Sequence, residues 1–157
     1  MKTLKVFLFF IVISVPVFSQ LTEQCKTVKL GSKEELQTAE VCIDQLADFV
    51  LSKPLRDDEA HKARVIILAW MEKTPNFTFS INANLLKVCK GENILLFGIY
   101  MTSMAKAALL GNEEFNEEAL KIFMDYIKIP ENDVAKTKEI EKLLTSWDKM
   151  DYDKYVR

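Results

Sequence analysis

Histidine is nearly missing from this chain, and that alone removes several chemistries. His61 is the single imidazole, so a multi-histidine metal cluster cannot form within one chain, and any Ser-His-Asp or Cys-His machinery would have to use that residue. Glu59 lies two residues before it, and side chains two apart on a helix point in different directions, so the two make no dyad. Arginine is almost as scarce. Arg56, Arg64 and Arg157 supply the only guanidinium groups, the net charge is −2 and no basic block occurs, so nucleic acid is excluded as a partner for want of a concentrated positive surface. A phosphate loop, a dinucleotide fingerprint and a CxxC pair are absent as well. Asp148, Asp151 and Asp153 crowd the tail without the central glycine and closing glutamate of a calcium loop. Asp57-Asp58, Glu113-Glu114 and Glu117-Glu118 each fall near an expected helix start, where the dipole stabilises carboxylates without any catalytic role. No catalytic, cofactor-binding or metal-binding constellation emerges, and the chain reads as a non-enzyme. Gly/Ser-rich linkers and low-complexity blocks are also lacking, which leaves one domain.

What is present begins with a leader. Residues 1–20, MKTLKVFLFFIVISVPVFSQ, carry Lys2 and Lys5, an apolar run from position 6 to 13, and Val17-Phe18-Ser19 before a cut after Ser19. That is the layout of a secretory signal peptide over 1–19, and the apolar run is shorter than the roughly 20 residues a membrane span needs. Residues 20–157 then form a single helical domain, exported to a periplasmic or extracellular compartment, with no membrane span in the mature chain. Loss of two lysines leaves 19 basic against 23 acidic residues, a mature charge of −4.

Cys25, Cys42 and Cys89 would enter an oxidising compartment, so one disulfide and one leftover thiol are expected. Cys42 lies close to an apolar helical stripe, where a thiol is comfortable as a small hydrophobe. That favours Cys25 with Cys89 as the disulfide.

The rest reads as helices. Ser32 with Glu35 makes a capping box, and Leu36, Ala39, Ile43, Leu46 and Val50 recur at helical spacing, giving a helix over 33–53 stopped by Pro54. Asp57 or Asp58 caps a second, whose "VIILAWM" at 65–71 is apolar on every side and therefore expected at the centre of the bundle. Thr74-Pro75 ends it. In "NFTFSIN", 76–82, Phe77, Phe79 and Ile81 alternate with polar residues, the pattern of an extended strap with one face buried, with "TVKL" at 27–30 as a pairing partner. Asn76-Phe77-Thr78 also matches the N-glycosylation pattern, which in a eukaryotic secretory route would place the start of the strap at the surface.

Asn82 caps a short helix ending near Lys90-Gly91. Residues 94–110 form a core helix with Gly98, Thr102 and Ala105 as a small-residue stripe, closed by Gly111. Asn112 or Asn116 caps the next, whose stripe of Phe115, Ala119, Ile122, Phe123, Tyr126 and Ile127 runs to Pro130. Asn132 or Asp133 starts the last long helix, with Val134, Ile140, Leu144 and Trp147 inward, and the tail is either frayed or docked. The expected fold is all-α, a bundle of five to six helices with one short extended segment.

"ARVIILAWMEKTPNFTFSI" at 63–81, "YMTSMAKAAL" at 100–109 and the C-terminal "IEKLLTSWDKMDYDKYVR" resemble uncharacterised secreted helical proteins of Bacteroidota bacteria. The resemblance spans about residues 60–157 and implies a bacterial exported protein, with no activity to transfer. Two functions suit such a chain. One is a non-enzymatic module that contacts another macromolecule, a protein partner, or serves an envelope or stress role. The other is a carrier of a small apolar ligand, of fatty acid or isoprenoid type, in a cavity lined by Trp70, Phe77, Phe79, Phe97, Met101, Met104 and Phe123.

Overall fold

The computed structural model describes Cys25, residues 27–111 and residues 115–156. The expected signal peptide at 1–19 and the candidate cap Asn112 lie outside the described residues. Helix α1 (Lys33–Leu51) opens on the capping box: the Glu35 amide donates to Ser32 Oγ at 3.2 Å and Glu35 Oε2 accepts from the Ser32 amide at 3.1 Å. It stops two residues short of the expected end, because Pro54 disfavours helical geometry at position 53 and Ser52 takes the cap. Helix α2 (Asp58–Lys73) is capped by Asp57, whose Oδ1 accepts from the Ala60 amide at 2.8 Å, and closes at Thr74. Helix α3 (Ala83–Val88) is short and capped by Asn82. Helices α4 (Leu96–Leu109) and α5 (Phe115–Lys128) follow, then α6 (Lys138–Asp148) and the final turn α7 (Asp153–Val156). The architecture is an all-α bundle, with five longer helices and two short ones among the described residues.

The central helix is α4, not α2. Tyr100 to Ala105 are buried in unbroken succession, and α4 packs on α1, α2 and α5. In α2, by contrast, Val65 is 54% exposed and Ile66, Leu68 and Ala69 are half-buried, so its greasy run meets the core on one side only. The difference lies in side-chain size. Gly98, Thr102, Ser103, Ala105, Ala107 and Ala108 make α4 thin enough for three neighbours to approach, whereas the bulky run of α2 would hold them apart.

Residues 77–82 form neither helix nor strand, with Phe77 and Phe79 half-buried and Ile81 turned to solvent. The ring of Phe77 lies 5.9 Å from that of Trp70, and Phe79 lies 6.2 Å from Trp70 and 5.7 Å from Phe115, so the strap closes the end of the bundle with aromatic contacts. The expected ladder with 27–30 does not form among the described residues. Each segment is tied to a helix instead: Lys73 Nζ of α2 donates to the Leu30 carbonyl at 3.3 Å, and Asn76 Nδ2 donates to Glu40 Oε1 of α1 at 2.9 Å.

The last long helix starts at Lys138 rather than near 132. Pro130–Asn132 forms a 3₁₀ turn, and Asp133 closes it at φ 53°. Asn93 then holds Ala135 by two bonds, donating to its carbonyl at 2.8 Å and accepting from its amide at 3.0 Å. An Ala135 amide committed to a distant side chain cannot also serve a helix ladder, so residues 133–137 stay out of the helix and Thr137 becomes the cap. Asn116 is not the cap of α5 but its second residue.

Candidate functional site

The three cysteines pair differently from expectation. Cys25 bonds Cys42, with Cα atoms 5.1 Å apart, and Cys89 is the free thiol. Cys42 borders the buried stripe of α1 on its half-exposed flank, within reach of the segment arriving from the N-terminus. Cys89 caps α3 and is 6% exposed, so it is Cys89, rather than Cys42, that occupies the buried hydrophobe's place. Burial pushes its thiol up to about 12, which keeps it protonated and unreactive at neutral pH.

The seven residues expected around a cavity are divided. Trp70, Phe77 and Phe79 join Phe115 in one aromatic cluster, and Trp70 Nε1 donates to the Leu36 carbonyl at 3.2 Å. Phe123 stacks edge-on against Tyr100 at 5.7 Å. Met101 and Met104 are buried in the core. Phe97 alone of the seven lines a surface groove described below. His61 is exposed on α2, and the nearby Glu59 carboxylate accepts from Lys62 at 2.7 Å. Among the described residues no three His, Cys, Asp or Glu side chains gather within metal-ligating range, and no helix is long and apolar enough to cross a membrane.

What the fold does assemble is a pair of adjoining grooves around α3. The construction starts from two asparagines. Asn82 caps α3 through Oδ1, which accepts from the Asn84 and Leu85 amides, while its Nδ2 donates to the Lys154 carbonyl at 3.1 Å. Asn84 Nδ2 donates to the same carbonyl at 2.9 Å, so α7 is docked on α3 by a carbonyl held between two amides. Tyr155 is buried there, Trp147 stacks on Tyr152 at 4.8 Å, and the Tyr152 hydroxyl donates to Glu117 Oε1 at 3.0 Å. The tail is therefore docked.

Between α3, α6 and α7 lies a groove of about 550 Å³ lined by Asn84, Lys87, Val88, Lys90, Glu139, Lys142, Lys154 and Tyr155. Four lysines and one glutamate thus line it, with the Lys154 ammonium 5.2 Å from the centre of the Tyr155 ring. Lys87 Nζ donates to Asn84 Oδ1 at 3.0 Å, which orients it beside the docked tail, and among the described residues none of the four lysines makes an ion pair. On the other side of Lys87 and Lys90, an apolar groove of about 450 Å³ is lined by Ala83, Leu86, Cys89, Ile94 and Phe97 as well. Leu86 is 38% exposed and Ile94 is 64% exposed there. The two grooves share Lys87 and Lys90 as a common ridge. Leu86 and Ile94 are thus apolar side chains left in solvent beside Lys87 and Lys90.

None of this was marked by a local motif. Lys87 and Lys90 stand three apart in "KVCK", but Lys142 and Lys154 come from elements far along the chain. No protein-family model, curated protein or solved structure matches this chain.

Proposed function

We propose that this protein is an exported, non-enzymatic interaction module, periplasmic or extracellular, that contacts another macromolecule through the face built around α3. The observation that supports this most is the apolar groove with exposed Leu86 and Ile94 running beside the lysine-lined groove on a chain whose net charge is negative. An interface of this kind supplies apolar area for affinity and a charged border for orientation and encounter rate. The Cys25–Cys42 disulfide and the leader at 1–19 support the exported compartment. The carrier reading has less support, because a carrier encloses most of its ligand's surface. Trp70, Phe123 and Met104, which were to line its cavity, are fully buried in the core.

The test has two arms. Protein isolated without reduction from the compartment that holds it is weighed by mass spectrometry; a chain beginning at Gln20 and two hydrogens light is expected, and a full-length chain retained in the cytoplasm refutes export. In the same cells a photo-crosslinking residue replaces Leu86, Ile94 or, as the reference, the exposed Val41 of α1. A discrete adduct from positions 86 and 94 alone is expected. Equal labelling from all three positions, or none from the α3 face, refutes the assignment of the contact to that face.

A further inference from the structure

We infer that the α3 face takes an acidic amphipathic peptide segment of a partner protein, its apolar side chains in the Leu86–Ile94–Phe97 groove and its carboxylates along Lys87, Lys90, Lys142 and Lys154. This rests on the interaction-module reading and names the chemistry of the partner.

Three features select this occupant. The first is charge complementarity. Four ammonium groups against the single Glu139 leave an excess of three positive charges in the groove, more than the carboxylate of one fatty acid would neutralise. They are spread over α3, the turn after it, α6 and α7, so matching them calls for several carboxylates in a row, as a peptide carries them. The second is shape. Neither groove is an enclosed cavity, so each covers only part of its occupant. That suits a peptide, which keeps its other face in water, and not an isolated lipid chain, which must be enclosed. The third is the order of the surface. Lys87 and Lys90 form the ridge between the two grooves, so apolar and acidic side chains must alternate across one narrow element, the arrangement that an amphipathic helix presents on adjoining faces. The lysine groove is concave, which sets it apart from the protruding apolar residues and flanking cations with which proteins settle on a flat lipid surface.

The test uses the mature chain and a synthetic amphipathic peptide of about four helical turns, with glutamates on one face and leucine and phenylalanine on the other. Its glutamine counterpart and vesicles containing about a third of anionic phospholipid serve as the other probes. Binding of the acidic peptide is expected to weaken about tenfold or more when its glutamates become glutamine, and by a similar factor in the Lys87→Glu/Lys90→Glu variant. It is also expected to weaken as salt rises from about 0.05 to about 0.5 M. Ile94→Asp is expected to weaken it as well, and Lys62→Glu on α2 to leave it unchanged. Equal binding of the glutamine peptide, or no effect of the double lysine variant, overturns the inference. Vesicle binding without peptide binding also overturns it, as does a self-dimer that the double variant dissolves. If the inference falls while crosslinks from positions 86 and 94 persist, the interaction-module reading stands with a partner of other chemistry; if the crosslinks fail too, both fall.

Discussion

Glycine at position 98 carries a sign that ordinary helix propensity gets wrong. In the interior of an exposed helix, Gly→Ala stabilises by about 1 kcal/mol, because alanine loses less backbone entropy on folding. Here a Cβ at position 98 would sit 2.9 Å from Arg64 Cδ, with Nε at 3.5 Å and Cγ at 3.8 Å. The obstructing atom is the middle of the side chain and not its free end. Arg64 is 3% exposed, and its Nη1 donates to the Leu55 carbonyl at 3.1 Å, so the guanidinium is anchored beyond the clash. Moving the stem either strains χ angles or pulls the head from its acceptor. Overpacking of this kind costs about 1–3 kcal/mol. Set against the propensity gain, Gly98→Ala is expected to destabilise by about 1 kcal/mol, a fall of about 4 °C in Tm for a domain of this size. In an Arg64→Ala background the obstruction is gone, and the same change is expected to stabilise by about 1 kcal/mol, a coupling of about 2 kcal/mol between the two sites. Thermal and urea unfolding of the four proteins in this cycle measure it. A Gly98→Ala change that raises Tm equally in both backgrounds refutes the reasoning, since then Arg64 does not occupy the space that glycine leaves.

Reducing the Cys25–Cys42 bond, which spans 17 positions, is expected to lower unfolding free energy by about 3 kcal/mol, and peptide mapping of unreduced protein should recover 25 linked to 42 in the Cys89→Ser variant as in the native chain. The Cys89 thiol is expected to resist an aromatic disulfide reagent at pH 8 and to react once the chain is unfolded in guanidinium; rapid reaction of the native protein would contradict its burial. Burial raises Cys89, Tyr100 and Tyr126 each to about 12, so the unfolded chain gives up these protons first. The stability they protect is whole below their ordinary values of 9.0 and 10.0 and is lost as pH climbs towards 12, which urea midpoints from pH 8 to 11 would show as a steady decline. Lys106 Nζ bonds Asp44 at 2.7 Å and Asp48 at 2.9 Å, clamping α4 to α1, and although burial opposes its charge the two carboxylates raise its pKa. Lys106→Met is expected to cost about 1 kcal/mol, less at high salt; an unchanged urea midpoint would show the clamp to be idle.

The proposed docking surface around α3 is the least legible part of the chain in the sequence. Its four lysines come from positions 87 to 154, and two of its decisive contacts are side-chain amides of Asn82 and Asn84 reaching one carbonyl in the tail. No spacing rule announces a groove assembled from three elements. The disulfide was misread for a related reason. Periodicity placed Cys42 near a buried stripe, but whether a residue at the edge of a stripe faces the core or a neighbouring segment depends on how the helix is rotated against its partners. Cys89, with no stripe around it, is buried because the turn after α3 lies beside Tyr100 of α4.

By itself the sequence determined where helices begin and end wherever the signal is local: Ser32 with Glu35, Asp57 and Asn82 at N-termini, Thr74 before Pro75, and Gly111 at φ 79°. These contacts lie within one or two turns and need no tertiary partner. It determined as well that the chain is all-α and that helix is interrupted over 77–82, because periods of 3.6 and of two are properties of short windows. Only the tertiary structure decided that thin α4 and not greasy α2 is central, that Asn93 holds 133–137 out of the last helix, that Cys25 meets Cys42, and that lysines of three elements converge beside an apolar groove. Each of these depends on which surfaces meet across the bundle, and close packing of shapes is settled by all the helices together.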